Sequence, residues 1–181
     1  VSTYTAEFGS ITTTTGINFH DGIKHDVVFE KGVLFSDGKT IWSASSGSFQ
    51  TEYNMYIASI NSSGTVSGFV GRVYYCRIYD NDILVRDYIP CQTDDGIYGL
   101  YDKVNDVFYG SSTDSQFTGK WKESKNLKVS MQEFRMRLMT KNAQGLPKGY
   151  FACEYIESDG TNYVDTGFTP NSNTRVVMDC L

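Results

Sequence analysis

The carboxylates of this chain are not spaced for paired acid–base catalysis. A retaining acid–nucleophile pair needs two carboxyl groups about 5 Å apart on one face. Glu154 and Glu157 are three residues apart, so on a strand they point to opposite faces. Asp80 and Asp82 lie beside Asn81 at the end of a predicted strand, where turn chemistry accounts for them. We therefore assign no catalytic residue and expect a protein that is not an enzyme.

The residues that could bind a metal ion or act as a nucleophile give only weak evidence for either role. Asp80, Asn81 and Asp82 supply the oxygens that Ca²⁺ prefers, so they are weak calcium candidates and no other cofactor is expected. His25 lies in an alternating strand without a Ser or Cys motif beside it, which favours a structural histidine.

Four cysteines occur at positions that do not form a metal-binding motif. None is at CxxC spacing and neither histidine is near them, which argues against a zinc site. Two interpretations stay open: buried reduced thiols, or a disulfide whose pairing the sequence does not fix. The four are Cys76, Cys91, Cys153 and Cys180.

One strand places aromatic and basic side chains on a single face. Residues 71–79 (GRVYYCRIY) alternate, so Tyr74, Cys76 and Ile78 form an apolar face. The opposite face carries Tyr75, Arg77 and Tyr79, and we expect Tyr56 and Trp42 to extend it if their strands are neighbours. Aromatic side chains provide flat apolar surfaces and the guanidinium group of arginine provides planar hydrogen-bond donors, and together these can bind sugar rings. The alternative is that a loop, a helix or another subunit covers these rings.

The elements that position this strand are short and mostly extended. Asp37–Gly38 between two apolar runs predicts a hairpin, and 53–60 predicts a strand covered on both faces. A capping box at Ser130 and Glu133, followed by apolar residues at helical spacing, predicts a helix over 131–142. We divide the chain into a sandwich body (1–121), a helical linker (122–149) and further strands (150–181).

Composition and charge exclude several classes of protein. Aromatic residues make up 14% of the chain, which favours strands. The net charge of −5 argues against nucleic-acid binding, which needs clustered Lys and Arg. No apolar run approaches the roughly 20 residues that span a bilayer. We therefore expect neither a nucleic-acid partner nor a membrane span.

Several motifs resemble concanavalin A-like (laminin-G-like) jelly-roll domains of phage and gut-bacterial surface proteins. They are the segments FVGRVYYCRIYDNDILVRDYIPC (69–91), IYGLYDKVNDVFYG (97–110), HDVV (25–28), LFSDGK (34–39) and QGLPKGYFACEYIESDGTNYVDTGFTPNSNTRVV (144–177). The resemblance implies an all-β, two-sheet antiparallel jelly-roll β-sandwich, here with one linker helix. Relatives with glucanase activity carry Glu-x-Asp-x-x-Glu on one strand, and this chain has no such run.

The order of these motifs differs from the order in the family. There the segment like 154–167 comes first, and the segment like 71–80 comes near the end. Three explanations are open. The chain could hold the end of one domain and the start of the next in a tandem array, it could be a permuted domain, or its segments could be numbered out of native order. We expect residues 155–166 and 174–180 to pair with the body of the same chain or of an identical neighbour, since an unpaired edge invites association.

The resemblance implies a noncatalytic, lectin-like module on a virion or cell surface. Its expected partners are a cell-surface glycan or other virion or surface proteins, with a homo-oligomer or strand exchange. A glucanase-like hydrolase and a purely structural interaction domain are the alternatives.

Overall fold

The computed structural model describes residues 4–8, 11–15, 21–43, 51–62, 64–121 and 145–181. Within these ranges the chain forms strands and no helix. The predicted helix over 131–142 lies outside the described residues. The strands, in chain order, are β1 (Tyr4–Phe8), β2 (Ile11–Thr15), β3 (His25–Glu30), β4 (Val33–Ser36), β5 (Lys39–Ser43), β6 (Tyr56–Ile57), β7 (Ser59–Ser62), β8 (Thr65–Gly68), β9 (Val70–Asp80), β10 (Ile83–Thr93), β11 (Tyr98–Asp102), β12 (Val107–Tyr109), β13 (Thr118–Trp121), β14 (Tyr150–Asp159), β15 (Val164–Asp165) and β16 (Thr174–Cys180). No helix in the described part of the chain has the length and apolar character needed to cross a membrane.

One large antiparallel sheet carries most of the strands. Its order is β12-β11-β10-β14-β9-β16-β3-β4-β5, with β13 paired to β14 and a direct pairing between β9 and β10. Strand β14 is antiparallel to both β9 and β10, which are antiparallel to each other. Three mutually antiparallel strands cannot all be direct neighbours in one flat layer, so this sheet is not flat. Smaller two-stranded sheets, β1–β2, β6–β15 and β7–β8, complete the described fold.

Three two-residue turns build the tight hairpins of this sheet. Both central residues have positive φ at Lys31–Gly32, Asp37–Gly38 and Asn81–Asp82. This is the type I′ pattern, whose twist matches that of the flanking strands. The hairpin predicted at Asp37–Gly38 is confirmed, with β4 and β5 on either side.

The core lies between the large sheet and the small β6–β15 sheet. Ile57 of β6 and Val164 of β15 pack in one cluster with Cys76, Ile78 and Ile156 of the large sheet, and all five are buried. Two layers of antiparallel strands therefore enclose the main apolar cluster. The predicted class, an all-β antiparallel β-sandwich, is confirmed.

The single strand predicted over 53–60 is wrong. The backbone of Ala58 has a φ of 64°, which an L-residue in a strand does not adopt. This residue separates β6 from β7. Ile57 and Ala58 are nevertheless both buried, so the apolar character of the segment reflects core packing.

The last described segment supplies central strands. Strand β16 pairs with β9 on one side and β3 on the other, and β14 pairs with β9, β10 and β13. The predicted pairing with the body is thus present, and it is within the same chain. The strand predicted over 155–166 is divided in two, because Gly160 (φ 92°) starts a turn between β14 and β15.

Candidate ligand-binding face

The solvent-facing side of β9 carries the residues that sequence alternation placed there. Cys76 and Ile78 are fully buried, as predicted. Tyr75 and Tyr79 on the opposite face are half-buried and Arg77 is exposed. Cross-strand neighbours share a face, so this side also includes Asp179 beside Tyr75. We call it the β9 outer face.

The predicted place of Tyr74 in the core is wrong. The register between β9 and β16 shifts at this point, so that Asp179 pairs with Tyr75 and Cys180 pairs with Val73. Tyr74 is the extra residue of this β-bulge, which returns Val73 to the inner face. Val73 is 1% exposed, whereas Tyr74 is half-buried. The bulge therefore adds a third aromatic ring, that of Tyr74, to the region around the outer face.

Each of four tyrosine rings in this region is paired with a cation. The guanidinium carbon of Arg175 lies 3.9 Å from the centroid of the Tyr79 ring. The other distances are 4.5 Å for Arg72 on Tyr155, 5.3 Å for Arg77 on Tyr75 and 5.3 Å for Lys24 on Tyr74. All four are within the range of cation–π attraction. We call this set the tyrosine–cation row.

Three of the four cations also meet a carboxylate. Arg77 Nε donates to Asp87 Oδ1 at 2.9 Å, and Lys24 Nζ donates to Asp179 Oδ2. Arg72 Nε lies 3.3 Å from Glu157 Oε1. Among the described residues, Arg175 has no carboxylate within ion-pair distance. The row is thus neutralised along most of its length and leaves a cation with free donors at the Tyr79 end.

The part of the row around Tyr75 is a closed polar network. Burial raises the pKa of Tyr75 to about 12, and the carboxylates of Asp179 and Asp26 add to this. The hydrogen bond to Asp179 raises the pKa of Lys24. Both cations in this part of the row, Lys24 and Arg77, are thus already paired with carboxylates.

Trp42 and Tyr56 do not extend the β9 outer face, which corrects the prediction. Trp42 of β5 pairs with Leu34 and packs on the buried Phe29 cluster, which belongs to the inner side. Tyr56 belongs to the small β6–β15 sheet and stacks on Tyr163 with ring centroids 4.4 Å apart. Alternation along single strands could not identify the long-range registers that place both rings elsewhere.

The calcium candidates form the turn between β9 and β10. Asn81 and Asp82 are its two central residues. Asp80 Oδ1 accepts hydrogen bonds from Asn171 Nδ2 at 3.0 Å and from Asn81 Nδ2 at 3.3 Å. Within the described ranges, no three His, Cys, Asp or Glu side chains converge into a metal-binding group. Calcium binding stays a prediction, and the turn geometry accounts for these residues without it.

A small polar depression opens next to this turn. Its volume is about 150 Å³, and it lies where the β3–β4 and β9–β10 turns meet the start of β16. Arg175 borders it, so the depression adjoins the Tyr79 end of the tyrosine–cation row. The lining residues are Glu30, Lys31, Asn81, Asp82, Asn173 and Arg175.

The carboxylates considered for hydrolysis are each held by a cation. Glu154 lies 3.7 Å from Lys120, and Glu157 lies 3.3 Å from Arg72. A register shift between β13 and β14 makes Glu154 an extra residue of a bulge, so simple alternation does not describe its direction. The two carboxylates therefore have separate ion partners, Arg72 and Lys120.

The four cysteines are buried and carry free thiols, with no disulfide joining them in the described residues. Burial raises the pKa of Cys153 and Cys180 to about 12 and also raises the pKa of Cys76 and Cys91. The reactive form of cysteine is the thiolate. These side chains are therefore packing residues at neutral pH, in line with the reduced-thiol interpretation.

The His25 ring lies between two carboxylates and contacts both, an arrangement that we call the His25 clasp. Its Nδ1 lies 2.8 Å from Asp37 Oδ2 and its Nε2 lies 3.2 Å from Asp21 Oδ1. The hydrogen bond with Asp37 raises the pKa of His25, with a further contribution from Asp21. Both ring nitrogens are engaged, so the ring holds the segment before β3 against the β4–β5 turn. This is the structural role that the sequence favoured.

The clasp predicts a pH-dependent contribution to stability. Because the folded pKa of His25 is above its ordinary 6.5, the contribution is complete below that pH and is lost as pH rises through the folded value. The pKa values of Asp21 and Asp37 are below 3.8, so their share is lost only at lower pH. The melting-temperature difference between wild type and His25→Gln should therefore be largest near pH 5 and shrink toward pH 8.5. A difference that stays constant across this range would contradict the clasp.

Comparison with known proteins adds no relative to this picture. No protein-family model, curated protein or solved structure matches the chain. The likeness to concanavalin A-like sandwiches therefore rests on the sequence motifs, and the fold rests on the strands and registers described above.

Proposed function

We propose that this chain is a noncatalytic, lectin-like module that attaches to a glycan through the β9 outer face. The tyrosine–cation row is the observation that carries the proposal, because it presents rings and planar donors together on the solvent side of a central strand. Sugar rings bind by stacking their C–H faces on aromatic rings and by giving and accepting hydrogen bonds at their hydroxyls.

The resemblance supports a biological setting for this activity. A domain of this type in a phage virion or bacterial surface protein would serve attachment to a cell surface or assembly of a larger particle. The rigid strands of the sheet fix the spacing of the rings along β9, and such preorganisation lowers the entropic cost of binding a repetitive polymer.

Glycan binding can be measured on an array of bacterial and plant polysaccharides, followed by titration of the best probe. We expect Tyr79→Ala to weaken binding about tenfold, because loss of a ring contact of about 1.4 kcal/mol gives that factor. Tyr56→Ala, which removes a ring from the other layer, should bind like wild type. A folded protein that binds no glycan, or a Tyr79→Ala variant with unchanged affinity, would overturn the proposal. Turnover of laminarin that disappears in Glu154→Gln or Glu157→Gln would favour a hydrolase instead.

A further inference from the structure

We infer that the polar depression beside Tyr79 receives the carboxylate of an acidic sugar, with Arg175 as its binding residue. This inference rests on the proposed function, and it specifies which class of glycan the β9 outer face would select. Its starting point is the difference between Arg175 and the other members of the row: Arg72, Lys24 and Arg77 each have a carboxylate partner in the described structure, and Arg175 has none.

The stacking on Tyr79 prepares Arg175 for a planar anion. The guanidinium carbon lies 3.9 Å from the centroid of the Tyr79 ring, and in the described residues no carboxylate pairs with its N–H groups. An arginine held in this way presents a fixed fork of donors that matches a carboxylate through two parallel hydrogen bonds. Arg175 is half-buried, so part of its cost of desolvation is met before a ligand arrives.

The rest of the depression suits hydroxyl groups. Asn81 and Asn173 carry side-chain amides that both donate and accept, and Asp82 carries a carboxylate that accepts from hydroxyls. Glu30 is the cross-strand neighbour of Arg175, and Lys31 lies 3.5 Å from it, so the lysine partly offsets the charge of this carboxylate. One cationic fork surrounded by amides and acceptors fits a sugar with one carboxylate and several hydroxyls.

The backbone holds these groups in place. The β9–β10 turn is fixed by its two positive-φ residues, and Asn81 N donates to Asn173 O at 3.3 Å. Asn173 N in turn donates to Asn171 Oδ1 at 2.8 Å. The two asparagines therefore belong to a connected turn structure, and Arg175 follows two residues later at the start of β16.

The test compares acidic sugars with their methyl esters. Galacturonate and glucuronate oligosaccharides and sialyllactose, each with its methyl ester, would be titrated into the full chain by calorimetry. We expect at least one acid form to bind tenfold or more tightly than its ester. Arg175→Gln should remove that preference without lowering the melting temperature, and Arg175→Lys should restore only part of it, because a lysine keeps the charge and lacks the fork.

Arg77→Gln is the matched control, since Arg77 lies on the same face and is already paired with Asp87. It should keep the preference for acid over ester whatever its total affinity. If wild type binds acid and ester equally while Tyr79→Ala still loses affinity, the glycan-binding proposal stands and the role of Arg175 is wrong. If an acid is preferred and Arg175→Gln keeps that preference, the role of Arg175 is likewise wrong. If no glycan binds at all, both the glycan-binding proposal and the role of Arg175 are wrong.

Discussion

A chain ending at Trp121 should fail to fold. It would lack β14 and β16, and β16 is the strand that joins β3 to β9. In the described structure, β3 otherwise pairs only with β4, so the β3–β4–β5 unit would lose its backbone link to the sheet. The inner face of β9 would also lose the side chains of Ile156 and Val164, which are buried against it.

The size of this effect follows from the apolar surface involved. Burial of one large aliphatic side chain contributes about 1.5–3 kcal/mol. Ile156, Val164 and the partly buried Val176 and Met178 would together account for roughly 5–10 kcal/mol, which is comparable to the whole stability of a domain. Residues 1–121 should therefore aggregate or show no cooperative unfolding by circular dichroism.

The control for this truncation is complementation. A peptide of residues 145–181 added during refolding should restore strand signal and solubility, because it carries β14, β15 and β16. The same peptide with Ile156→Asp and Val164→Asp should not, since each change places a charge in the core. A soluble, monomeric and cooperatively folded 1–121 fragment would show that the last segment does not complete the sandwich.

Local features of this fold could be predicted from the sequence. The Asp37–Gly38 hairpin depends on two residues that tolerate positive φ, and that preference is a property of the dipeptide. The burial of Cys76 and Ile78 depends on alternation along a single strand, which the bulge at Tyr74 does not reach. Each of these features depends on residues close together in the chain.

The rest of the candidate site depends on pairings between distant segments. Arg175 stacks on Tyr79 because β16 pairs with β9, and 96 positions separate these two residues. Alternation within β16 could have indicated that Arg175 points outward, but it could not identify the neighbouring strand. The misplacement of Trp42 and Tyr56 has the same cause. A bulge also changes parity without any mark in the sequence, so Tyr74 could not be excluded from the core.

Gly99→Ala should strongly destabilise the protein, although it adds a single methyl group. Gly99 is buried in β11 and pairs with Cys91 of β10. A Cβ atom there would overlap the carbonyl oxygen of Tyr109 and approach the Phe108 ring to 2.7 Å. The ring could move, but the carbonyl is backbone of Tyr109, the last residue of β12, so the backbone itself must shift.

Overpacking of this kind costs about 1–3 kcal/mol and more where backbone is displaced. For a chain of this size, 3 kcal/mol lowers the melting temperature by roughly 6–12 °C. Gly110→Ala is the matched control, because the nearest atom to its added methyl is in the same Phe108 ring at 3.6 Å, an ordinary contact. That variant should melt within about 2 °C of wild type, since it removes freedom from the unfolded chain without a clash. Equal melting temperatures for the two variants would mean that β11 and β12 do not approach as closely as the structure shows, and the packing of this edge of the sheet would have to be revised.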